Sequence, residues 1–84
     1  MDESSIYKRL YKYFDPSFLE VDNESHLHNH HSQSPNTGNS HFSIKIKSKS
    51  FEGLNRLQGQ RKIYDLFKEE LKGSIHALNI KILD

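Results

Sequence analysis

His41-Phe42-Ser43-Ile44-Lys45-Ile46-Lys47-Ser48 alternates apolar and polar residues without a break. Successive side chains of an extended chain point to opposite faces, so Phe42, Ile44 and Ile46 share one side and Ser43, Lys45 and Lys47 the other. Such a strand asks for a hydrophobic layer on one side only. Two further stretches carry the same pattern. Phe18–Asn23 places Leu19 and Val21 together, and Ile75–Leu83 places Leu78, Ile80 and Ile82 together.

Helical periodicity supplies the covering layer. From Ser5 to Phe14, Ile6, Leu10 and Phe14 recur every four residues, Tyr7 and Tyr11 flank them, and Lys8, Arg9 and Lys12 are expected to face away. Ser4 or Ser5 is expected to cap the start, with Asp2 and Glu3 near the positive end of the dipole, and Pro16 sets the stop at Asp15. Between Gly53 and Leu71 the pattern predicts a short turn around Leu54–Leu57, an interruption at Gly59 and a longer helix from Gln60. Ile63, Phe67 and Leu71 form its stripe, with Tyr64 and Leu66 beside it, and Gly73 is placed as a left-handed C-cap.

The element order is therefore α-β-β-α-α-β. It predicts an α+β fold: a single two-layer domain over residues 1–84, with a three-stranded mixed sheet packed on helices. The first two strands suit an antiparallel hairpin. Helices separate the second from the third, and such a crossover returns a parallel strand. Two adjacent parallel strands begin at the same end of the sheet, so His41, at the start of one, and His76, at the start of the other, are expected at that end. Residues 24–40 hold one large apolar side chain, Leu27, and are expected to form a long histidine-rich loop at that same end.

Composition narrows the function. Eighty-four residues, 33% of them apolar, support one thin core. Cysteine is absent, which excludes disulfides, a catalytic thiol and any thiolate metal site built by this chain alone. No run is long and apolar enough for a membrane span, and no secretory pattern opens the chain. Net charge is +1; residues 1–39 carry three basic and six acidic groups and residues 40–84 nine and five, so the halves stand at −3 and +4. No acid–base pair at fixed spacing, no phosphate-binding glycine loop and no nucleophile motif is present, so no enzyme is expected. Glu69 and Glu70 read as a solvated helix face.

The compositional excess is histidine. There are six, and His26, His28, His30 and His31 fall within six positions. Imidazole is the commonest ligand for borderline metals, although a tract of this kind binds zinc or nickel weakly in the absence of a fixed geometry. His76 has the parity of Leu78, Ile80 and Ile82 and is expected to lean toward the covered face. His41 has the parity opposite to Phe42 and is expected to face out unless the strand start twists.

Several fragments together resemble the BolA-like proteins. These are Phe18-Leu19-Glu20-Val21-Asp22-Asn23-Glu24-Ser25, Ser40-His41-Phe42, Ser50-Phe51-Glu52-Gly53-Leu54, Arg61-Lys62-Ile63-Tyr64, Glu69-Glu70-Leu71 and Ile75-His76-Ala77-Leu78-Asn79-Ile80. The resemblance spans roughly residues 6–83 and departs from the family's usual pattern at Gly59-Gln60-Arg61. It implies a class II KH-like fold and a non-enzymatic adaptor role in iron–sulfur cluster assembly, trafficking or iron regulation. The implied partner is a monothiol glutaredoxin with glutathione, the two proteins bridging a 2Fe-2S cluster that the isolated chain, a monomer, does not bind. His76 matches the family's C-terminal ligand, and His28 and His41 are the alternatives for the second. The runner-up is a nucleic-acid-binding transcriptional regulator using Lys45, Lys47, Arg61 and Lys62, with Lys49 extending the strand's basic stripe; bare metal binding by the loop is a third reading. An intracellular location, cytoplasmic or mitochondrial, is expected.

Overall fold

A computed structural model of the chain describes residues 1–24 and 40–84. Helix α1 (Glu3–Phe14) leads into strand β1 (Phe18–Asn23); strand β2 (His41–Lys47) is followed by a 3₁₀ turn (Lys49–Phe51), helices α2 (Arg56–Leu66) and α3 (Lys68–Leu71), and strand β3 (Ala77–Ile82). The sheet order is β1-β2-β3, with β1–β2 antiparallel and β2–β3 parallel. The alternation in β2 holds throughout: Phe42, Ile44 and Ile46 are buried, and each removes enough apolar surface from water to contribute about 1.5–3 kcal/mol. They meet Ile6 and Leu10 of α1, Ile63 of α2 and Phe67 in one core. Helix α1 lies over β1 and α2 over β3, which leaves the other face of the sheet to water.

Several local expectations change. Asp2, not Ser4 or Ser5, caps α1: its Oδ1 accepts the Ser5 N–H at 2.8 Å. The carboxylate adds charge to the cap, which a hydroxyl cannot. Asp15 ends the helix in the left-handed region (φ 43°), and Ser48 Oγ donates to the Phe14 carbonyl, tying the helix end to the end of β2.

Gly59 is no interruption. Asn55 caps α2 by accepting the Gln58 N–H at 2.8 Å, Gln58 Oε1 accepts the Asn55 N–H at 3.0 Å, and this reciprocal box starts the helix at Arg56. Gly59 then sits buried inside α2, where a Cβ would meet Ile82 Cδ1 at 2.5 Å. The glycine is a packing device that brings α2 onto β3. The break falls instead at Phe67, between α2 and α3. Gly73 is not left-handed; the cap of α3 is Lys72 in an ordinary right-handed conformation, and among the described glycines it is Gly53 that has positive φ.

Arg9 and Glu70 also depart from the reading of solvated faces. Arg9 Nη1 donates to Glu70 Oε1 at 2.9 Å and to the Leu66 carbonyl at 3.2 Å, and the guanidinium lies 5.1 Å from the Phe67 ring centroid. The contact joins α1 to the α2–α3 junction, a pairing between charges 61 residues apart that periodicity within one helix cannot reveal. The guanidinium holds the Glu70 carboxyl below its ordinary value, chiefly by hydrogen bonding.

Two outcomes follow from this packing. Gly59→Ala and Ile82→Val should be coupled: removing Cδ1 makes room for the new methyl, so Gly59→Ala should be more favourable in the Ile82→Val background by about 0.5–3 kcal/mol in urea unfolding. The lowered Glu70 value means that the folded state binds that proton more weakly than the unfolded state. Its contribution is complete above the unfolded carboxylate range and disappears as pH falls through the folded value. Arg9→Met should therefore lower stability at neutral pH and flatten the acid limb of the stability curve; an unchanged acid limb would contradict the assignment.

Candidate metal-ligand corner

The corner is built by the start of the parallel ladder. Ser40 precedes β2 and is buried, and its carbonyl accepts two donors from the start of the neighbouring β3 segment, His76 N–H at 2.7 Å and Ala77 N–H at 3.2 Å. On the other side, the His41 carbonyl accepts Glu24 N–H at 2.8 Å. The residues flanking the 25–39 segment are thus stitched to one end of the sheet.

This stitching brings two imidazoles together. The ring centroids of His41 and His76 lie 5.9 Å apart with a 56° angle between planes. His76 is exposed, contrary to its parity: β3 begins only at Ala77, and the buried position beside it is taken by Ile75. A period of two holds only where the chain is already a strand, and residues 75 and 76 precede it. His41 is half-buried and directed to the same corner, so the parity conflict between the two histidines disappears.

Ser40 is the corner residue that periodicity did not single out. Its Oγ lies 2.8 Å from His41 Nδ1. In the tautomer with Nδ1–H donating to that hydroxyl, the ring's coordinating lone pair is on Nε2, a standard way of orienting a ligating imidazole. The available signal was a serine immediately before a strand that opens on histidine.

Two imidazoles do not complete a metal site. Among the described residues no group of three or more His, Asp, Glu or Cys is placed to hold an ion. His28 lies outside the described residues, as does the rest of the loop tract. The described residues bring two nitrogen donors together and form no closed tetrahedral site among themselves.

The four basic candidates do not form one surface. Lys45 and Lys47 project from the water face of the sheet, where Lys45 Nζ lies 3.8 Å from Glu20 Oε2. Arg61 and Lys62 are exposed on α2, over the opposite face. A cleft of about 880 Å³ lies at the far end of the strands between Phe14, Pro16, Lys47, Phe51, Ile82 and Leu83, away from His41 and His76.

Comparison with known proteins agrees with the fold and the motif order. The family model for BolA-like proteins matches residues 10–83. The DNA-binding transcriptional regulator BolA of Haemophilus influenzae is 40% identical over 77 residues, covering 92% of this chain and 71% of that protein. Among solved structures, BolA1 from Arabidopsis thaliana superposes with a TM-score of 0.85 at 33% identity, covering 98% of this chain and 89% of that one. The BolA domain of SufE1 from the same plant gives 0.82 at 36% identity, covering 95% and 87%. With the α-β-β-α-α-β order, the mixed sheet and the Ser-His-Phe and His-Ala-Leu segments in place, the chain belongs to the BolA-like protein family.

Proposed function

We propose that this protein is a non-enzymatic adaptor that shares a 2Fe-2S cluster, carried as cargo, with a monothiol glutaredoxin and its glutathione. The observation that carries the proposal is the His41–His76 pair: two imidazoles 5.9 Å apart at an exposed corner, in a chain with no cysteine. Histidine replaces thiolate at one iron of some 2Fe-2S centres and raises their reduction potential, whereas the other iron keeps its sulfur ligands. A chain that offers only nitrogen donors needs a thiolate-bearing partner. His76 would supply one donor, anchored through its own backbone to the Ser40 carbonyl. The second would be His41, held by Ser40 Oγ, or His28 from the adjoining segment.

Nothing in this division of labour requires proton transfer or bond cleavage by the chain itself. Its residues orient two imidazoles, hold them at the sheet end and leave the partner to supply sulfur. An intracellular site of action, cytoplasmic or mitochondrial, is part of the proposal, because glutathione and reduced thiolates must be available.

A reconstitution with a monothiol glutaredoxin, glutathione, iron and sulfide tests it. His76→Ala should convert the visible spectrum of the mixed complex to that of the glutaredoxin-bound cluster. Ser40→Ala, which keeps the anchoring carbonyl and removes only the hydroxyl, should lower cluster retention about tenfold. A spectrum unaffected by His76→Ala would refute the ligand assignment.

A second reading rests on the name of the Haemophilus influenzae relative, a DNA-binding transcriptional regulator. Lys45 and Lys47, on the open face of the sheet, would then contact phosphate. Each phosphate neutralised contributes a slope of about −0.9 to log Kobs against log salt, so Lys45→Ala with Lys47→Ala should reduce a measured slope by about 2. No DNA binding at moderate salt would leave the adaptor reading alone.

A further inference from the structure

The two edges of the sheet are finished differently. On β3, the carbonyls of Leu78 and Ile80 point away from β2 and accept hydrogen bonds from Tyr64 Oη at 3.1 Å and Gln60 Nε2 at 3.2 Å. Two α2 side chains thus occupy that edge. On β1 the outward groups belong to Leu19 and Val21. The Ile46 carbonyl is committed to Leu83 N–H at 2.8 Å, so the even-numbered residues of β2 serve β3 and its odd-numbered residues serve β1. In register these oppose Phe18, Glu20, Asp22 and Glu24, a sequence that ends with Glu24 N–H on the His41 carbonyl. Leu19 and Val21 therefore direct their N–H and C=O away from the sheet, and no side chain of the described residues closes this edge as Gln60 and Tyr64 close the other.

A wall of aromatic surface stands over the same edge. Helix α1 covers β1, and its Arg9 flank is turned inward to Glu70 and Leu66, with Tyr13 beside Lys62 and Leu66. The opposite flank, Tyr7 and Tyr11, consequently overhangs the open side. These rings stack at 5.9 Å and remain 40% and 49% exposed, which leaves apolar area uncovered beside unpaired backbone.

We infer that the outer edge of β1 adds an extended segment of another protein, one with lysine or arginine at alternate positions and apolar residues between them. Strand addition supplies main-chain hydrogen bonds, and alternate side chains give the selectivity. On the water face β1 presents Glu20 and Asp22, and β2 already answers Glu20 with Lys45 at 3.8 Å. A basic strand on the outer side repeats that pairing, and its apolar side chains fall beneath Tyr7 and Tyr11. A second copy is the poorer occupant. Two β1 strands meeting antiparallel with Val21 opposite Leu19 or Val21 set Glu20 against Glu20 or Asp22, and like charges directly opposite are destabilising. The surface is separate from the histidine corner and does not depend on the cluster reading.

The probe is an acetylated alternating lysine–valine hexapeptide titrated into the ¹⁵N-labelled full chain, with amide hydrogen exchange read residue by residue. Exchange at Leu19 and Val21 should slow on saturation while Leu78 and Ile80, on the closed edge, remain unchanged. An alternating glutamate–valine peptide should not bind, and Tyr7→Ala with Tyr11→Ala should weaken the lysine–valine peptide about tenfold. Equal binding by a peptide with its three lysines in one block, unaltered exchange at Leu19 and Val21, or self-association of the protein through β1 would overturn the inference.

Discussion

The carbonyl of Ser40 holds the parallel ladder together at the end that matters. It accepts from both His76 and Ala77, and so determines where β3 starts relative to β2. The register that follows pairs His41 with Ala77, Ile44 with Ile80 and Ile46 with Ile82. A shift of one residue would turn Leu78, Ile80 and Ile82 to water and carry His76 away from His41. Core packing and the placement of the two imidazoles are therefore one constraint. The buried Phe42, Ile44 and Ile46 keep the register, and the register keeps the two imidazoles together.

The helices bear on the same constraint from the other face. Gly59 lets α2 lie close to Ile82, and Gln60 and Tyr64, on the same helix, reach the β3 carbonyls. One helix thereby packs β3 and closes its edge. Arg9, Glu70 and Phe67 then clamp α1 to the α2–α3 junction, so the helical layer over β1 and the layer over β3 are joined. The arrangement turns Tyr7 and Tyr11 outward over β1. Gln60 and Tyr64 finish the β3 edge of the sheet, and no side chain of the described residues does the same for Leu19 and Val21 at the β1 edge.

How much of this could be read in advance varies with the range of the interaction. Alternation identified all three strands because each is covered on one face only, and a crossover through helices required β3 to be parallel. That His41 and His76 stand at one end of the sheet followed from that topology; their close approach did not, because parity set His76 toward the covered face and His41 away from it. Three of the errors share one cause. Gly59 was read as a breaker because glycine destabilises a helix, but the close approach of Ile82 outweighs that tendency. Glu70 was read as solvated because its own helix places it outside, but Arg9 reaches it from another element. His76 was assigned by parity to the covered side, although the strand does not begin until the next residue. In each case a tertiary neighbour overrode a local rule.

Sequence alone determined the element order, the apolar faces, the absence of thiolate ligands and the end of the sheet at which histidines gather, because these depend on periodicity and residue chemistry. Tertiary structure decided which of His41 and His76 is exposed, that Ser40 holds both His41 and the backbone of His76, and which sheet edge the described residues leave open. Those outcomes depend on hydrogen bonds between residues tens of positions apart, and no local pattern records such distances.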